Sequence, residues 1–370
     1  MPHWKSIHIE RFRRLEGVRL EELGVVNILV GRNNCGKTSI LEALAIASDP
    51  MNVFTWIDTG RDRELKPTRT PVLEILSWFF PHLQPQSNGF HGNISLCGEL
   101  ANGEALEIKA GYQEFREVEI RPQQLETVSP QSVLSDGEEF TEYTAHLAVE
   151  VKRLAVDRSV LSEQREPLVL TGKHYIRSEG HPPILPHQFV SPVSHRTSSQ
   201  LLASMDQILE ERLKPDVIKL LQLFATDVDD IELRAPHGRG VTISLHHAVI
   251  GQVPLSVEGD GMRRALAFAS AVALSRDGVL LIDEIETALH PDALEEIFRF
   301  IVAACRASRV QLFVTTHSLD AVDAMLASID ESVDDIVAYR LPARSSDYPL
   351  KRFGGKTLYD LRHEGGLDPR

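Results

Sequence analysis

The chain of 370 residues carries a formal net charge of −14, and hydrophobic residues make up 42% of it. This apolar content supports a sizeable core of roughly two domains, or one large α/β domain with an insertion, and it excludes wholesale disorder. The acidic balance, with a pI of about 5.5, argues against broad, sequence-independent binding to nucleic acids.

Three further features indicate a cytoplasmic protein. No apolar run approaches the ~20 residues that a membrane helix needs. Charged residues recur near the N-terminus before any apolar stretch forms, so the start does not resemble a signal peptide. Cys35, Cys97 and Cys305 lie too far apart in the sequence to suggest a disulfide framework or a zinc motif.

The earliest predicted element is a strand around residues 7–12, and the densest early group of basic residues lies at its end. Arg11, Arg13 and Arg14 form this group. They fit either a local basic patch or a solvated strand face, and the sequence leaves both interpretations open.

A phosphate-binding loop follows. Residues 25–30 form an apolar run typical of a buried strand, and residues 40–48 have the pattern of a helix. Between them, Gly31 to Thr38 (GRNNCGKT) fits the pattern G-x-x-x-x-G-K-[ST] without a mismatch. The glycines let backbone amides surround an anion, while Lys37 and Thr38 are the residue types that contact phosphates and Mg²⁺. We therefore predict that the chain binds a nucleoside triphosphate.

The middle of the chain changes from helical to antiparallel character. A helix is predicted over 72–80. From 92 to 175, short alternating runs separated by Gly, Pro, Asn and Asp predict an antiparallel β-meander with a polar face. The other elements predicted in this region are a short strand at 188–190 within a loop over 178–199, two helices over 200–225 with Pro215 starting the second, and strands near 230–234 and 241–246.

The last third alternates helices with strands. The predicted elements are helices over 262–275 and 291–305 and from 319, and strands over 279–283, 310–315 and 336–339. Such alternation predicts an α/β fold with a mostly parallel sheet that is covered on both faces.

Two of these predicted strands end in polar residues. The first runs into Asp283 and Glu284, and the second into His317. The carboxyl ends of parallel strands are where α/β sheets bind ligands. We expect Asp283 to support Mg²⁺, Glu284 to orient or deprotonate water, and His317 to donate a hydrogen bond to a γ-phosphate.

A second candidate anion site precedes a predicted helix. Ser256, Gly259 and Gly261 stand directly before it, so free amides and the helix dipole suit a negative ligand. The chain already has one phosphate loop. A second anion-binding helix start is explained if it covers the nucleotide of another subunit.

Together these motifs resemble the ATP-binding-cassette (ABC) class of ATPases. In that class the phosphate loop is Walker A, residues 256–261 match the signature, residues 279–284 match Walker B, and His317 matches the switch histidine. Within the class, the segment GRNNCGKTSILEAL resembles the RecF, SMC and OLD branch. The segments SVEGDGMRR, LLIDEIETALHP and TTHS look most like prokaryotic OLD-like ATPases of the AAA family. The resemblance covers about residues 1–50 and 255–320.

The resemblance implies an ABC-type P-loop head with a mostly parallel sheet, an antiparallel β subdomain and a helical signature subdomain. It implies ATP and Mg²⁺ as ligands, Glu284 and His317 as catalytic residues, and Thr38 and Asp283 as metal ligands. The nucleotide-binding residues that it implies are Arg13, Gly31, Asn33, Asn34, Gly36, Lys37, Thr38, Ser39, Ser256, Gly259 and Gly261.

The resemblance also places Phe12 and Arg13 near the base or ribose, and residues 289–291 in a loop that crosses a dimer interface. Two features of the family do not fit. The helical segment over 200–225 cannot supply long coiled-coil arms, and the stretch after Ser318 is too short for a TOPRIM nuclease domain, so we expect a stand-alone member. Gln188 is the candidate for the glutamine that senses the γ-phosphate.

We expect the chain to divide into five segments. These are 1–90 as the first part of the ATPase head with Walker A, 91–185 as the antiparallel β subdomain, 186–255 as a lobe of helices and short strands, 256–345 with the signature, Walker B and switch histidine, and 346–370 as a C-terminal tail.

The favoured hypothesis is an ATPase switch in which two ATP molecules are sandwiched between the heads of a homodimer or a higher oligomer. Such a switch would act through a separately encoded effector, a nuclease or toxin, in defence against phages or plasmids.

The alternative is a RecF-like DNA repair or recombination ATPase, which needs a basic face that the net charge does not indicate. A membrane-transporter motor is disfavoured, because the signature is not Leu-Ser-Gly-Gly-Gln and a β-insertion separates the motifs.

Overall fold

The structure is a computed structural model that describes residues 2–61, 72–81, 91–119, 140–171, 181–192, 194, 198–235, 240–287, 291–327, 335–342, 350–363 and 368–369. In these ranges the strands are β1 (Trp4–Phe12), β2 (Leu15–Leu20), β3 (Val26–Val30), β4 (His91–Leu100), β5 (Ala105–Glu119), β6 (Phe140–Leu154), β7 (Val160–Thr171), β8 (His187–Val190), β9 (Val228–Arg234), β10 (Thr242–His247), β11 (Gly251–Pro254), β12 (Val279–Ile282), β13 (Gln311–Thr316), β14 (Ile336–Arg340) and β15 (Lys351–Gly354). The helices are α1 (Lys37–Ser48), α2 (Val53–Arg61), α3 (Val72–Ser77), α4 (Ser198–Glu210), α5 (Lys214–Leu221), α6 (Asp260–Leu274), α7 (Pro291–Ala307), α8 (Leu319–Ala327) and α9 (Gly355–His363).

A mostly parallel sheet carries the motifs. Its strand order is β15-β14-β3-β13-β12-β8, and β15 is its antiparallel edge strand. Every residue of β3 and β12 is buried, and all of them except Asn27 are apolar, as burial on both faces of a sheet favours. The prediction of an α/β fold with a mostly parallel sheet is confirmed.

This sheet separates two hydrophobic cores. Val26 and Ile28 of β3 belong to one core, which also contains apolar residues of α6 and α7. Leu29 belongs to the other core, which contains the apolar residues of α1 and of the antiparallel sheet. Successive side chains of a strand point to opposite faces, so one short apolar strand supplies both cores.

A second six-stranded sheet is wholly antiparallel. Its order is β2-β1-β4-β5-β6-β7, so β4 to β7 confirm the predicted meander. The hairpin of β1 and β2 extends the meander at one edge. The first two strands of the chain therefore belong to this sheet, while β3, only a few residues later, belongs to the parallel one.

Helices α4 and α5 contact α6, beside a three-stranded sheet of order β11-β10-β9. Helix α5 has a proline in its first turn, as Pro215 predicts. This lobe supports the start of α6, where the predicted signature lies. None of the described helices combines the length and apolarity needed to cross a membrane.

Several short elements were not predicted. They are β2, α2, β11, β15 and α9. β11 is a four-residue Gly-Gln-Val-Pro strand, and its structure comes from pairing with β10 rather than from its own pattern. Strand β15 and helix α9 lie in the segment expected to be a tail, and they are fixed there because Phe353 and Leu358 are buried against the parallel sheet's core.

Several predicted boundaries differ from the observed ones, among them the ends of two elements. The helix expected over 72–80 ends at Ser77, after which the chain turns. The strand expected over 279–283 ends at Ile282, so Asp283 lies beyond it.

A buried amide joins the two six-stranded sheets. The Gln311 side chain at the start of β13 accepts hydrogen bonds from the backbone amides of His3 (3.0 Å) and Trp4 (2.8 Å). Its amide donates to the carbonyls of Trp4 (2.9 Å) and Gly24 (2.8 Å). This one side chain therefore pairs with four backbone groups, of which the Gly24 carbonyl also accepts a hydrogen bond from Asn27.

We expect Gln311→Leu to lower the free energy of unfolding by about 3 kcal/mol, because it leaves several buried backbone groups unpaired while keeping side-chain volume. Denaturant titration of both proteins measures the change. The matched control is Gln207→Leu, because the exposed Gln207 amide donates a hydrogen bond to the Glu211 side chain at the protein surface. Equal effects of the two substitutions would contradict the role assigned to Gln311.

Candidate functional site

The predicted phosphate loop lies between the end of β3 and the start of α1. Its backbone is left-handed at Gly31 (φ 146°), Asn34 (φ 64°) and Gly36 (φ 104°). A Cβ atom added to Gly36 would lie 2.6 Å from Leu15 Cδ2, and one on Gly31 would lie 2.9 Å from Cys35 Sγ. Both glycines are therefore required by conformation and by space.

Lys37 is buried within this loop. Its ammonium donates hydrogen bonds to the carbonyls of Gly31 (2.7 Å) and Arg32 (3.2 Å). These bonds hold a positive charge inside a turn of backbone at a helix start. The loop therefore combines a positive charge with the start of a helix, and this combination suits a phosphate group.

Asp283 connects the loop to the parallel sheet. The Thr38 hydroxyl donates to its two carboxylate oxygens at 3.1 and 3.0 Å. The buried Thr315 hydroxyl donates to the same carboxylate at 2.5 Å. A hydroxyl and a carboxylate are the hard oxygen donors that Mg²⁺ prefers, so this pair fits the ion.

Glu284 follows in a left-handed conformation with φ 44°. Its backbone amide donates to the Thr315 hydroxyl at 2.8 Å, and its carboxylate accepts from Thr287 Oγ1 at 3.2 Å. Thr315 thus bonds to both acidic residues at once. Sequence reasoning did not identify Thr315, although its place at the end of the neighbouring parallel strand is the signal that could have found it.

These groups surround one open cavity of about 990 Å³. Of the predicted site residues, the cavity brings together Arg13, Asn33, Asn34, Gly36, Lys37, Thr38, Ser39, Asp283 and Glu284. Trp78, 53% exposed, also lines it and was not predicted. An exposed indole beside a phosphate loop offers a face on which a base can stack.

Arg13 lies at the cavity as expected, but Phe12 does not. The Arg13 guanidinium pairs with Glu42 of α1 at 2.7 Å and lies over the Phe79 ring at 4.5 Å. Phe12 is buried and packs against Phe79. Phe12 is the last residue of β1, whereas Arg13 lies in the turn that follows, with a left-handed backbone (φ 52°). The predicted basic patch is thus partly neutralised at Arg13, whereas Arg14 is exposed at the same cavity.

The predicted signature lies elsewhere. Among the residues described, none from Ser256 to Gly261 lines this cavity. Gly259 caps α6 with extended backbone (φ −65°, ψ 160°), and a Cβ there would meet nothing within 4 Å. The neighbouring Val257 is 73% exposed. The start of α6 is therefore open to an approaching molecule.

A buried histidine positions this segment. His247 is 6% exposed, and its two ring nitrogens lie 2.9 Å from Asp227 and 3.0 Å from Glu258. Burial disfavours the protonated ring, but the hydrogen bonds and charges of the two carboxylates outweigh it, so the pKa of His247 is raised. Glu258 directly precedes Gly259. The imidazolium therefore holds the signature segment against β9 and β10.

His317 is not placed at the cavity, in contrast to the expectation. Its ring nitrogen Nδ1 lies 2.9 Å from Glu286, which also accepts the His317 backbone amide at 2.9 Å. The ring is half exposed. A role of His317 at a nucleotide therefore stays a prediction.

Two further predicted features also lie away from the cavity or outside the described residues. Gln188 lies within β8 and lines a different cavity. Residues 289 and 290 of the predicted interface loop lie outside the described residues.

Two family models match the chain. One, described as "AAA ATPase domain", matches residues 4–114 and contains the phosphate loop. The other, described as "AAA domain, putative AbiEii toxin, Type IV TA system", matches residues 152–323 and contains the signature segment, both acidic residues and His317.

Individual proteins are also similar. The chain is 21% identical over 335 residues to an ATP/GTP phosphatase of Helicobacter pylori, covering 87% of each chain. It is 37% identical over 114 residues to the uncharacterized protein MJECL11 of Methanocaldococcus jannaschii, covering 98% of that protein and 30% of this chain. Among solved structures, an SMC head bound to the C-terminal winged-helix domain of ScpA aligns with a TM-score of 0.47 at 11% identity, covering 99% of this chain and 100% of that one.

We expect Thr315→Val to raise the Mg²⁺ concentration needed for half-maximal ATP hydrolysis roughly 10–100-fold, because Asp283 loses a partner that orients it. Steady-state hydrolysis across a Mg²⁺ titration measures this shift. Thr242→Val is the control, since that hydroxyl bonds a carbonyl on the exposed side of the lobe. An unchanged Mg²⁺ dependence in Thr315→Val would show that Thr315 does not position the site.

We expect His247→Gln to lower the free energy of unfolding most at about pH 6 and progressively less at higher pH. Because the folded-state pKa of His247 is raised above 6.5, the stabilisation by its imidazolium is complete below pH 6.5 and is lost as the pH rises through the folded-state pKa. Denaturant unfolding at pH 5.5 to 9 measures the difference between the two proteins.

His246→Gln is the matched control, because the His246 ring is 47% exposed beside Asp229 and its pairing is screened by water. A loss of stability in His247→Gln that is the same at every pH would contradict a charged His247.

Proposed function

This chain is an ATPase with AAA-type domains that belongs to one family with protein MJECL11, and we propose that ATP binding and hydrolysis switch it between a dimer and separate subunits. In this proposal two subunits bind two ATP molecules between them. Each nucleotide contacts the phosphate loop of one subunit and the Ser256–Gly261 segment of the other. Hydrolysis then separates the subunits.

The observation that supports the proposal is that the phosphate loop and the predicted signature segment lie on different surfaces of the chain. The cavity at the phosphate loop contains the groups for phosphate, metal and water. The start of α6 has the open Gly259 and the positive end of a 15-residue helix, yet it does not line that cavity in the described residues. A second copy of the chain brings the two halves together with no additional component.

The residues at the cavity suit hydrolysis of a phosphoanhydride. Lys37 and the loop amides neutralise the phosphates, and Thr38 and Asp283 would hold Mg²⁺, which supplies further charge neutralisation when bound. Glu284 orients the attacking water and accepts its proton. The left-handed backbone and the Thr315 bond keep this carboxylate at the rim of the cavity.

We further propose that the subunit motion acts on a separately encoded effector, a nuclease or toxin, in defence against phages or plasmids. The matching family description that names a Type IV toxin–antitoxin system supports an output of this kind. The formal net charge of −14 favours a protein partner over nucleic acid as the direct target.

We expect Glu284→Gln to bind ATP but hydrolyse it at least ~100-fold more slowly, since the amide cannot accept the proton. The ATP-bound dimer should then accumulate. Light scattering after size exclusion, with and without ATP and Mg²⁺, should show twice the monomer mass only with nucleotide.

The control is Glu284→Gln combined with Ser256→Arg, which leaves the phosphate loop intact but blocks the start of α6. This double variant should bind a fluorescent ATP analogue and remain monomeric. If Glu284→Gln binds the analogue but stays monomeric with ATP, the dimeric switch is wrong. If the double variant still dimerises, the role of the signature segment is wrong.

A further inference from the structure

Three side chains of the types that bind metal ions lie together on the outer face of the antiparallel sheet, away from the phosphate loop. They are His8 and Glu10 of β1 and Cys97 of β4. One ligand atom of each lies within 4.8 Å of the others. His8 and Cys97 are half-buried, and Glu10 is exposed.

The sheet itself brings these residues together. His8 pairs directly with Cys97 in the register of β1 and β4. The register then shifts between Ile9 and Arg11, so Glu10 is an additional residue at a bulge. Ser95, on the same face of β4, donates a hydrogen bond to the Glu10 carboxylate at 2.5 Å. This bond holds the carboxylate beside the other two groups.

We propose that His8, Glu10 and Cys97 form a zinc site with three protein ligands and one open position. Cys97 Sγ and His8 Nδ1 are 3.7 Å apart. A tetrahedral zinc ion with bonds of about 2.3 Å to sulfur and 2.0 Å to nitrogen places these atoms about 3.5 Å apart. A thiolate together with an imidazole selects zinc over magnesium or calcium, which prefer oxygen ligands.

Charged groups of both signs act on Cys97. They are the carboxylates of Glu10 and Glu107 and the guanidinium groups of Arg19 and Arg158. Glu107 pairs with Cys97 from the other neighbouring strand, β5. A divalent ion would attract both carboxylates and displace the thiol proton, so zinc binding would release protons.

The proposed ion has a structural consequence for the nucleotide cavity. It would link β1 to β4 through side chains, in addition to their backbone ladder. β1 ends at Phe12, and the turn that follows presents Arg13 and Arg14 to the cavity. A metal site on β1 therefore fixes the strand from which those two arginines extend.

The test uses the full chain, stripped with a chelator, supplied with zinc chloride and desalted. Elemental analysis should find about one zinc per chain, and its removal should lower the melting temperature because the ion binds only the folded state. Cys97→Ala and His8→Ala should retain less than about a tenth of this zinc. Cys35→Ala and Asp283→Asn, which alter the phosphate-loop cavity, should retain all of it.

A second measurement keeps the proposal testable if those variants fold poorly. In the unaltered chain, zinc should slow alkylation of Cys97 at least ~10-fold while leaving Cys35 unchanged, as site-resolved mass spectrometry would show. Cobalt in place of zinc should give a thiolate charge-transfer band. Less than about one zinc per ten chains, or alkylation of Cys97 that zinc does not slow, would overturn the proposal. Neither result depends on ATP hydrolysis or dimerisation.

Discussion

The hydrogen bonds of the Asp283 carboxylate hold the candidate site together. Thr38 reaches it from the start of α1, and Thr315 reaches it from β13. Three segments far apart in sequence are thereby joined at one group that can also hold a metal ion. Because a buried carboxylate is costly without partners, its two hydroxyl donors contribute to stability as well as to geometry.

The antiparallel sheet and the parallel sheet act as one frame for this site. Gln311 bonds the backbone of β1 to the start of β13, and Arg13 pairs with the almost fully buried Glu42 of α1. The hairpin of β1 and β2 is therefore attached to β13 and to α1, the helix that follows the phosphate loop. A change in β1 reaches the nucleotide cavity through two separate contacts.

Motifs and fully buried strands could be predicted from sequence because their signals are local. Gly31 to Thr38 requires particular residue types at fixed spacing, and β3 and β12 are apolar except for Asn27. Elements that depend on a partner, such as β11, have no such signal. Likewise, the spacing of the cysteines could not predict the proposed zinc site, because the pairing of β1 with β4 brings His8 and Glu10 beside Cys97.

The left-handed backbone of Glu284 explains how two adjacent acidic residues serve one cavity. In a continuing strand, Asp283 and Glu284 would point to opposite faces of the sheet. The strand ends at Ile282, the backbone is left-handed at Glu284 (φ 44°), and both acidic residues line the same cavity. A glutamate in this conformation costs about 1–2 kcal/mol. This conformation therefore lowers the stability of the folded chain, and it places both acidic residues at the same cavity.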